Sequence, residues 1–272
     1  MGLCSWSLRP DSPAQLAALA GACEVSGVQL HLDPIREGLW DLDDTLAELH
    51  AAGLRLMSGM MTMLGEDYTT LESIARTGGV RPDETWPHNH RAAHANAEIA
   101  RRLGIDLVTF HAGFLPEPGS PERAKIVERI NRVADAFSAQ GVRVALETGQ
   151  ESPEDLLALL GELGRDEIGV NFDPANMILY ASGDPIASLE ALAPRISQIH
   201  LKDADPPETP GHWGTERPLG RGRVDWEAFM GVVGSRLGGV GLVIERESGE
   251  DRAGDIRGAA RLVRRLAPSL VS

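Results

Sequence analysis

The chain has little cysteine: two residues in 272, Cys4 and Cys23. Both sit in apolar segments without metal-type spacing, and two thiols make a poor disulfide framework for so long a chain. A reducing cytoplasm is the expected setting. Positive charge is also scarce. Lys plus Arg total 26 against 40 Asp plus Glu, and the resulting net charge of −14 would repel a phosphate backbone. Nucleic acid is therefore not the expected partner. No apolar run approaches the roughly 20 residues of a membrane helix, and the residues after Met1 show neither a basic region nor an apolar stretch of signal length. A soluble protein away from membranes is expected. No linker rich in Pro, Gly or Ser divides the sequence into halves, so a single domain over residues 1–272 is the simplest organisation.

What the chain does contain is ordinary globular composition, 42% hydrophobic and 24% charged. Its length suits one large α/β domain. Short apolar runs alternate with amphipathic segments to the end, the mark of repeated β-α units around a parallel sheet. The predicted strands are Gly2–Trp6, Val28–Leu32, Leu54–Ser58, Asp106–His111, Arg143–Glu147, Gly169–Asp173, Gln198–Lys202 and Gly241–Arg246. The predicted helices are Pro13–Val25, Leu42–Ala52, Arg91–Leu103, Pro121–Gln140, Pro153–Leu163, Pro185–Leu192, Trp226–Arg236 and Ala253–Leu266. Eight such units make a (β/α)8 TIM barrel. Gly53, Gly104 and Gly141 stand where left-handed C-caps are wanted, and Ser120-Pro121 and Ser152-Pro153 read as N-caps followed by a first-turn proline. Two long connections, Met60 to His90 and Asp203 to Val224, would rise from the face where barrel active sites are built.

Barrel side chains alternate between the interior and the surrounding helices, so a polar residue at the last inward position of a strand sits at the mouth. With Val144 and Leu146 outward, Glu147 points inward. With Val170 and Phe172 outward, Asn171 and Asp173 point inward. The same parity turns Gln198, His200 and Lys202 inward, and likewise Val243 and Glu245. Alone, each would read as a satisfied structural polar group; four consecutive strands delivering Glu147, Asp173, His200 and Glu245 to one mouth do not. Gathering three carboxylates and an imidazole is costly unless a cation neutralises them. Oxygen-rich ligation with one nitrogen suits Mn2+ or Mg2+, with Co2+, Fe2+ and Zn2+ also compatible. His111, at the end of the fourth strand, reaches the same mouth as a substrate contact or as a group that orients a ligand. His31 faces in or out according to a one-residue shift. Met60 to Met63, Trp86, Trp213 and Trp226 either wall a pocket or pack.

The motifs Thr109-Phe110-His111-Ala112-Gly113, Ala145-Leu146-Glu147-Thr148, Asn171-Phe172-Asp173-Pro174-Ala175-Asn176, Ile199-His200-Leu201-Lys202-Asp203, Pro218-Leu219-Gly220-Arg221-Gly222-Arg223-Val224-Asp225-Trp226 and Val243-Ile244-Glu245-Arg246 span the chain. With them the sequence resembles the sugar phosphate isomerase/epimerase family of the xylose isomerase-like TIM-barrel superfamily, which includes D-tagatose 3-epimerase-like enzymes, hydroxypyruvate isomerases and inosose dehydratases. The resemblance implies that Glu147, Asp173, His200 and Glu245 hold one divalent metal and that Glu147 and Glu245 exchange protons with a small carbohydrate. It implies an isomerase or epimerase first, and a lyase or dehydratase on a 3-keto sugar or cyclitol second. Asn176 stands where those epimerases often carry histidine; it can bind a substrate hydroxyl but cannot transfer a proton. Lys202 and Arg221 either bind phosphate, carboxylate or hydroxyl groups or are solvated loop charges or partners for Asp203; the inward parity of Lys202 favours substrate contact for that residue. Dimers and tetramers are frequent in the resembling family.

Two other readings share the fold. A noncatalytic sugar-binding barrel would keep the architecture without the chemistry. Endonuclease IV, in the same superfamily, needs a histidine in the slot of Asn176 and an Asp-x-His in the loop after the seventh strand; that loop offers only Gly211-His212-Trp213 and Gly214-Thr215-Glu216. A duplex carrying an abasic site is accordingly expected to stay intact when incubated with the protein and divalent metal. Efficient nicking would move the chain to the nuclease class.

Overall fold

The computed structural model describes residues 1–209 and 211–270. Eight parallel strands close into a barrel: β1 (Gly2–Cys4), β2 (Gly27–His31), β3 (Arg55–Met60), β4 (Leu107–Phe110), β5 (Arg143–Glu147), β6 (Gly169–Phe172), β7 (Ile196–Leu201) and β10 (Gly241–Ile244). The order around the barrel is β1-β10-β7-β6-β5-β4-β3-β2. Two short strands, β8 (Asp203–Asp205) and β9 (Thr215–Arg217), form an antiparallel hairpin in the connection between β7 and β10. No described helix is long and apolar enough to cross a membrane.

Local chemistry explains most helix boundaries. Ser120 and Ser152 cap the helices Pro121–Ser138 and Pro153–Leu163, their hydroxyls accepting from Arg123 N and Asp155 N. Gly53, Gly104 and Gly141 have φ of 68°, 72° and 73°, the left-handed conformation expected after a helix. The helix expected from Arg91 begins at Trp86, one turn and more earlier. Polar His88, Asn89 and His90 hide that start in the sequence, yet Trp86 and Asn89 lie on the same buried face as Ala92, Ala93 and Asn96. Within the long Met60 to His90 connection, Thr70 and Ser73 form a reciprocal cap for an unforeseen helix, Leu71–Thr77. Helices Asp33–Arg36 and Pro174–Leu179 are too short to show a period in the sequence.

One carboxylate organises the connection after β7. Asp203 accepts hydrogen bonds from the backbone N–H of Ala204 (2.9 Å), Gly220 (2.8 Å), Gly222 (3.0 Å) and Val224 (3.2 Å), and from the Trp226 indole (2.9 Å). The approach is so close at Gly222 that a Cβ there would lie 2.2 Å from Asp203 Oδ1. Asp203 thus ties the loop and the start of helix Trp226–Arg236 to the end of the barrel.

A second buried carboxylate joins β2, β3 and helix Trp86–Arg102. Asp33 accepts from Asn96 Nδ2 (2.8 Å), Thr62 Oγ1 (2.5 Å) and Thr62 N (3.1 Å), and lies 3.2 Å from His31 Nε2. Burial pushes its pKa up from 3.8, but hydrogen bonds from His31, Thr62 and Asn96 outweigh that and hold it at about 2. A carboxyl whose pKa is depressed by folding stabilises the fold above its unfolded value and ceases to do so as pH falls through the folded value. Asp33 therefore contributes on the order of 2 kcal/mol at neutral pH, lost between about 4 and about 2. In denaturant titrations across that range, Asp33→Asn is expected to start less stable and to lose less on acidification; an acid limb parallel to the parent's would disprove this role.

Candidate metal centre

Four strands bring the predicted ligands to one end of the barrel. Glu147 is the last residue of β5, Asp173 follows β6, His200 is the penultimate residue of β7 and Glu245 follows β10. One ligand atom from each lies within 4.8 Å of the other three, and all four residues are buried. His200 Nδ1 is 3.2 Å from Glu147 Oε1 and 3.3 Å from Glu245 Oε2. Asp173 also caps helix Pro174–Leu179: its Oδ1 accepts from Ala175 N at 2.8 Å and Asn176 N at 3.3 Å. Its other oxygen, Oδ2, is buried with no hydrogen-bond partner.

That orphaned oxygen tests whether these residues suit a divalent cation. A buried carboxylate oxygen without a donor is unfavourable, and a cation among the four ligand atoms would satisfy it. The electrostatics agree. Burial raises the Asp173 pKa to about 7; Lys202 opposes this, while Glu245 and Glu147 add to it by repulsion. Glu245 behaves oppositely: burial disfavours its charge, but Lys202 and His200 hold it well below the usual carboxylate range. Glu147 is also lowered, burial being outweighed by His200 and His111. Two carboxylates are thus kept ionised, while the third has only the Lys202 ammonium, 3.9 Å from its Oδ2, which does not offset its burial and the repulsion of the glutamates. The donor set fits a hard divalent ion.

A cavity of about 690 Å³ opens over these residues. Glu147 and Glu245 reach it, with His111, Asn176 and Lys202. His111 Nε2 stands 3.7 Å from Glu147 Oε2, and Asn176 Nδ2 donates to Glu147 Oε1 (3.3 Å) and Thr148 O (3.0 Å). Lys202 Nζ donates to Glu245 Oε2 (3.0 Å) and Glu247 Oε2 (2.6 Å). Arg221 stands apart from these residues. It is exposed and does not line the cavity, because the N–H groups of Gly220 and Gly222 on either side are drawn inward to Asp203.

Sequence reasoning passed over several residues. The first predicted strand, Gly2–Trp6, stops at Cys4; Trp6 lies in the short 3-10 turn that follows and donates its indole N–H to Glu245 Oε1 at 2.8 Å, a direction that strand parity does not give. Glu247 lies two positions beyond Glu245, and that spacing was a legible hint. His31 resolves as a cavity-lining residue. Trp213 and Met60 line the cavity too, with Tyr68 and Tyr180, whereas Trp86 and Trp226 pack away from it.

A closed parallel barrel with a buried carboxylate–imidazole cluster at the C-terminal mouth defines a TIM-barrel protein with a candidate metal centre. The chain belongs to the xylose isomerase-like TIM barrel family, whose model matches residues 8–266. A xylose isomerase domain protein from Planctomyces limnophilus shares 31% identity and superposes with a TM-score of 0.87 over 93% of this chain and 92% of that one. The uncharacterized protein YihM of Escherichia coli (strain K12) is 26% identical over 80% of this chain, which spans 61% of that relative's length. Two more distant structures share the fold. A probable 3-DHS dehydratase, AsbF, involved in petrobactin synthesis in Bacillus anthracis, is 18% identical with a TM-score of 0.75 over 96% of this chain and 97% of that one. L-ribulose 3-epimerase is 14% identical with a TM-score of 0.77 over 99% and 95%.

Asp173→Asn keeps the capping oxygen and replaces the orphaned one. Residues one step removed from a metal typically change affinity roughly 10–100-fold, so loss of a ligand is expected to weaken Mn2+ binding by at least that much in calorimetric titration. Metal-free Asp173→Asn should be as stable as the metal-free parent or more so, since a buried carboxylate repelled by Glu245 and Glu147 is gone. Unchanged affinity would exclude Asp173 as a ligand.

Proposed function

We propose that this protein is a divalent-metal-dependent isomerase or epimerase acting on a small, uncharged carbohydrate by proton abstraction next to a carbonyl. The carrying observation is the cluster itself: four buried ligand atoms within 4.8 Å, two of them from glutamates that also border a cavity of about 690 Å³. Glu147, Asp173, His200 and Glu245 would hold one ion, Mn2+ or Mg2+ by the chemistry of the donors. When bound, such an ion polarises a substrate carbonyl or hydroxyl and acidifies the neighbouring C–H.

Glu147 and Glu245 are the proton-transfer groups in this reading. They belong to β5 and the end of β10, which β6 and β7 separate around the barrel, so they approach the substrate from different sides of the mouth. The indole of Trp6 and the ammonium of Lys202 hold Glu245 ionised, and the amides of Asn171 and Asn176 point N–H groups at Glu147. An ionised, positioned carboxylate is a competent base. Lys202, His111 and Asn176 are the substrate-binding groups, and Trp6, Tyr68, Tyr180 and Trp213 supply apolar faces for a sugar ring.

The charge of the cavity supports an uncharged substrate. Each basic side chain lining it faces a carboxylate: His31 faces Asp33, His111 faces Glu147, and Lys202 faces Glu245 and Glu247. Among the described residues, none is left over for a phosphate group. A dehydratase reading comes second, supported by the likeness to AsbF, because β-elimination begins with the same proton abstraction.

The test is solvent-deuterium incorporation into a panel of unphosphorylated ketoses and keto-glycosides by metal-loaded protein. Wash-in without loss of water supports the isomerase reading, and loss of water supports the lyase. Glu147→Gln and Glu245→Gln should each lower the exchange rate by roughly 10²–10⁴-fold. Full turnover with full metal in both variants would refute the proton-transfer pair, and metal without exchange across the panel would favour a noncatalytic binder.

A further inference from the structure

Gln29 has no role in the reading above, yet it makes the shortest contact to the metal-facing histidine. It lies on β2, at the register shift between β2 and β3, and is fully buried. Its Oε1 is 2.7 Å from His200 Nε2. On its other side, Nε2 donates to Thr109 Oγ1 at 2.8 Å and to the backbone carbonyl of Gly59 at 3.3 Å. The Thr109 hydroxyl can donate or accept, but the Gly59 carbonyl can only accept. Only one orientation of the amide therefore avoids oxygen against oxygen, the one with Nε2 toward Gly59 and Oε1 toward His200.

The consequence for the imidazole follows from distance. An oxygen 2.7 Å from a ring nitrogen is a hydrogen bond only if that nitrogen carries hydrogen; without it, lone pair meets lone pair. Asn171 Nδ2 also approaches His200 Nε2, at 3.1 Å; its amide is oriented by Gln198, which donates to Asn171 Oδ1, and one of its two hydrogens is directed to Glu147 Oε2 at 3.2 Å, so the shorter contact to the ring nitrogen, that of Gln29 Oε1, decides where the ring hydrogen sits. Cys4 Sγ sits on this side of the ring as well, 3.7 Å from Nε2.

We propose that Gln29 is a positioning residue: it fixes His200 as the Nε2–H tautomer, so that the Nδ1 lone pair is presented to the ion held with Glu147, Asp173 and Glu245. The inference rests on the metal-centre reading of the preceding subsection. It also removes Cys4 from the ligand set. Cys4, His200 and Glu245 form a second group close enough to hold an ion, but Cys4 lies toward the nitrogen that the amide occupies. The ion is thereby left with oxygen donors and one imidazole, without a thiolate.

Two measurements test this, and neither reads turnover. In the unmutated protein loaded with diamagnetic Zn2+, 15N correlation spectra of the histidine side chains should place the His200 hydrogen on Nε2, with Nδ1 shifted by metal. A hydrogen on Nδ1 would overturn the proposal. In calorimetric titrations with Mn2+, Gln29→Leu should weaken binding about 10–100-fold, while Gln29→Glu, which keeps an acceptor facing Nε2, should remain within a few-fold of the parent. Equal affinity in Gln29→Leu and the parent would also overturn it. Should Gln29→Leu fail to fold, Thr109→Val frees the amide more gently, with a smaller loss of affinity expected and no loss counting against the proposal. A parent protein that binds neither ion would sink the metal-centre reading itself, whereas normal binding with the opposite tautomer would sink only the role of Gln29.

Discussion

Like charges forced together at the barrel mouth are the constraint on which the rest of this structure depends. Glu147, Asp173 and Glu245 converge with their side chains almost fully withdrawn from water, and carboxylates so placed repel one another and resist ionisation. The protein answers unequally. Glu245 receives an ammonium, an indole N–H and a nearby imidazole; Glu147 receives two amides and two imidazoles; Asp173 receives two backbone N–H groups on one oxygen and, on the other, no hydrogen bond, only the Lys202 ammonium at 3.9 Å. The deficit is concentrated on one atom, which is where a cation has most to gain.

Beneath this cluster lies a layer of neutral polar groups facing the barrel interior. Ser58 donates to Gln198, Gln198 to Asn171, and Asn171 to Glu147, while Gln29 spans Thr109 and His200. These residues come from β2, β3, β4, β6 and β7. Each amide is oriented by the one before it, so the direction of hydrogen bonding is set at every step and ends on the site. A fully satisfied network of this kind holds its members in single rotamers. An apolar layer would give the glutamate and the histidine no such instruction.

The barrel and the cluster were legible because both follow from a period of two. Val144 and Leu146, or Ile199 and Leu201, pack outward against helices, and that alone puts Glu147 and His200 inside. What escaped the sequence obeys no period. Trp6 acts from a turn, Gln29 depends on a register shift within β2, and the β8–β9 hairpin is held by a carboxylate contacting backbone groups 17 to 21 residues away. Arg221 is the converse case. Its charge marked it in the sequence, but its exposed position depends on backbone hydrogen bonds of its neighbours Gly220 and Gly222 to Asp203, which no side-chain pattern announces.

The Asp203 anchor bears on how the cavity is walled. The segment from Asp203 to Trp226 carries Trp213 and Glu216 to the cavity, and Asp203 binds its far end through Gly220, Gly222, Val224 and Trp226. None of those anchoring contacts involves the four residues of the cluster. The cavity wall therefore carries its own clasp at its far end, and loosening that clasp would move Trp213 and Glu216 without disturbing any hydrogen bond of the four clustered side chains.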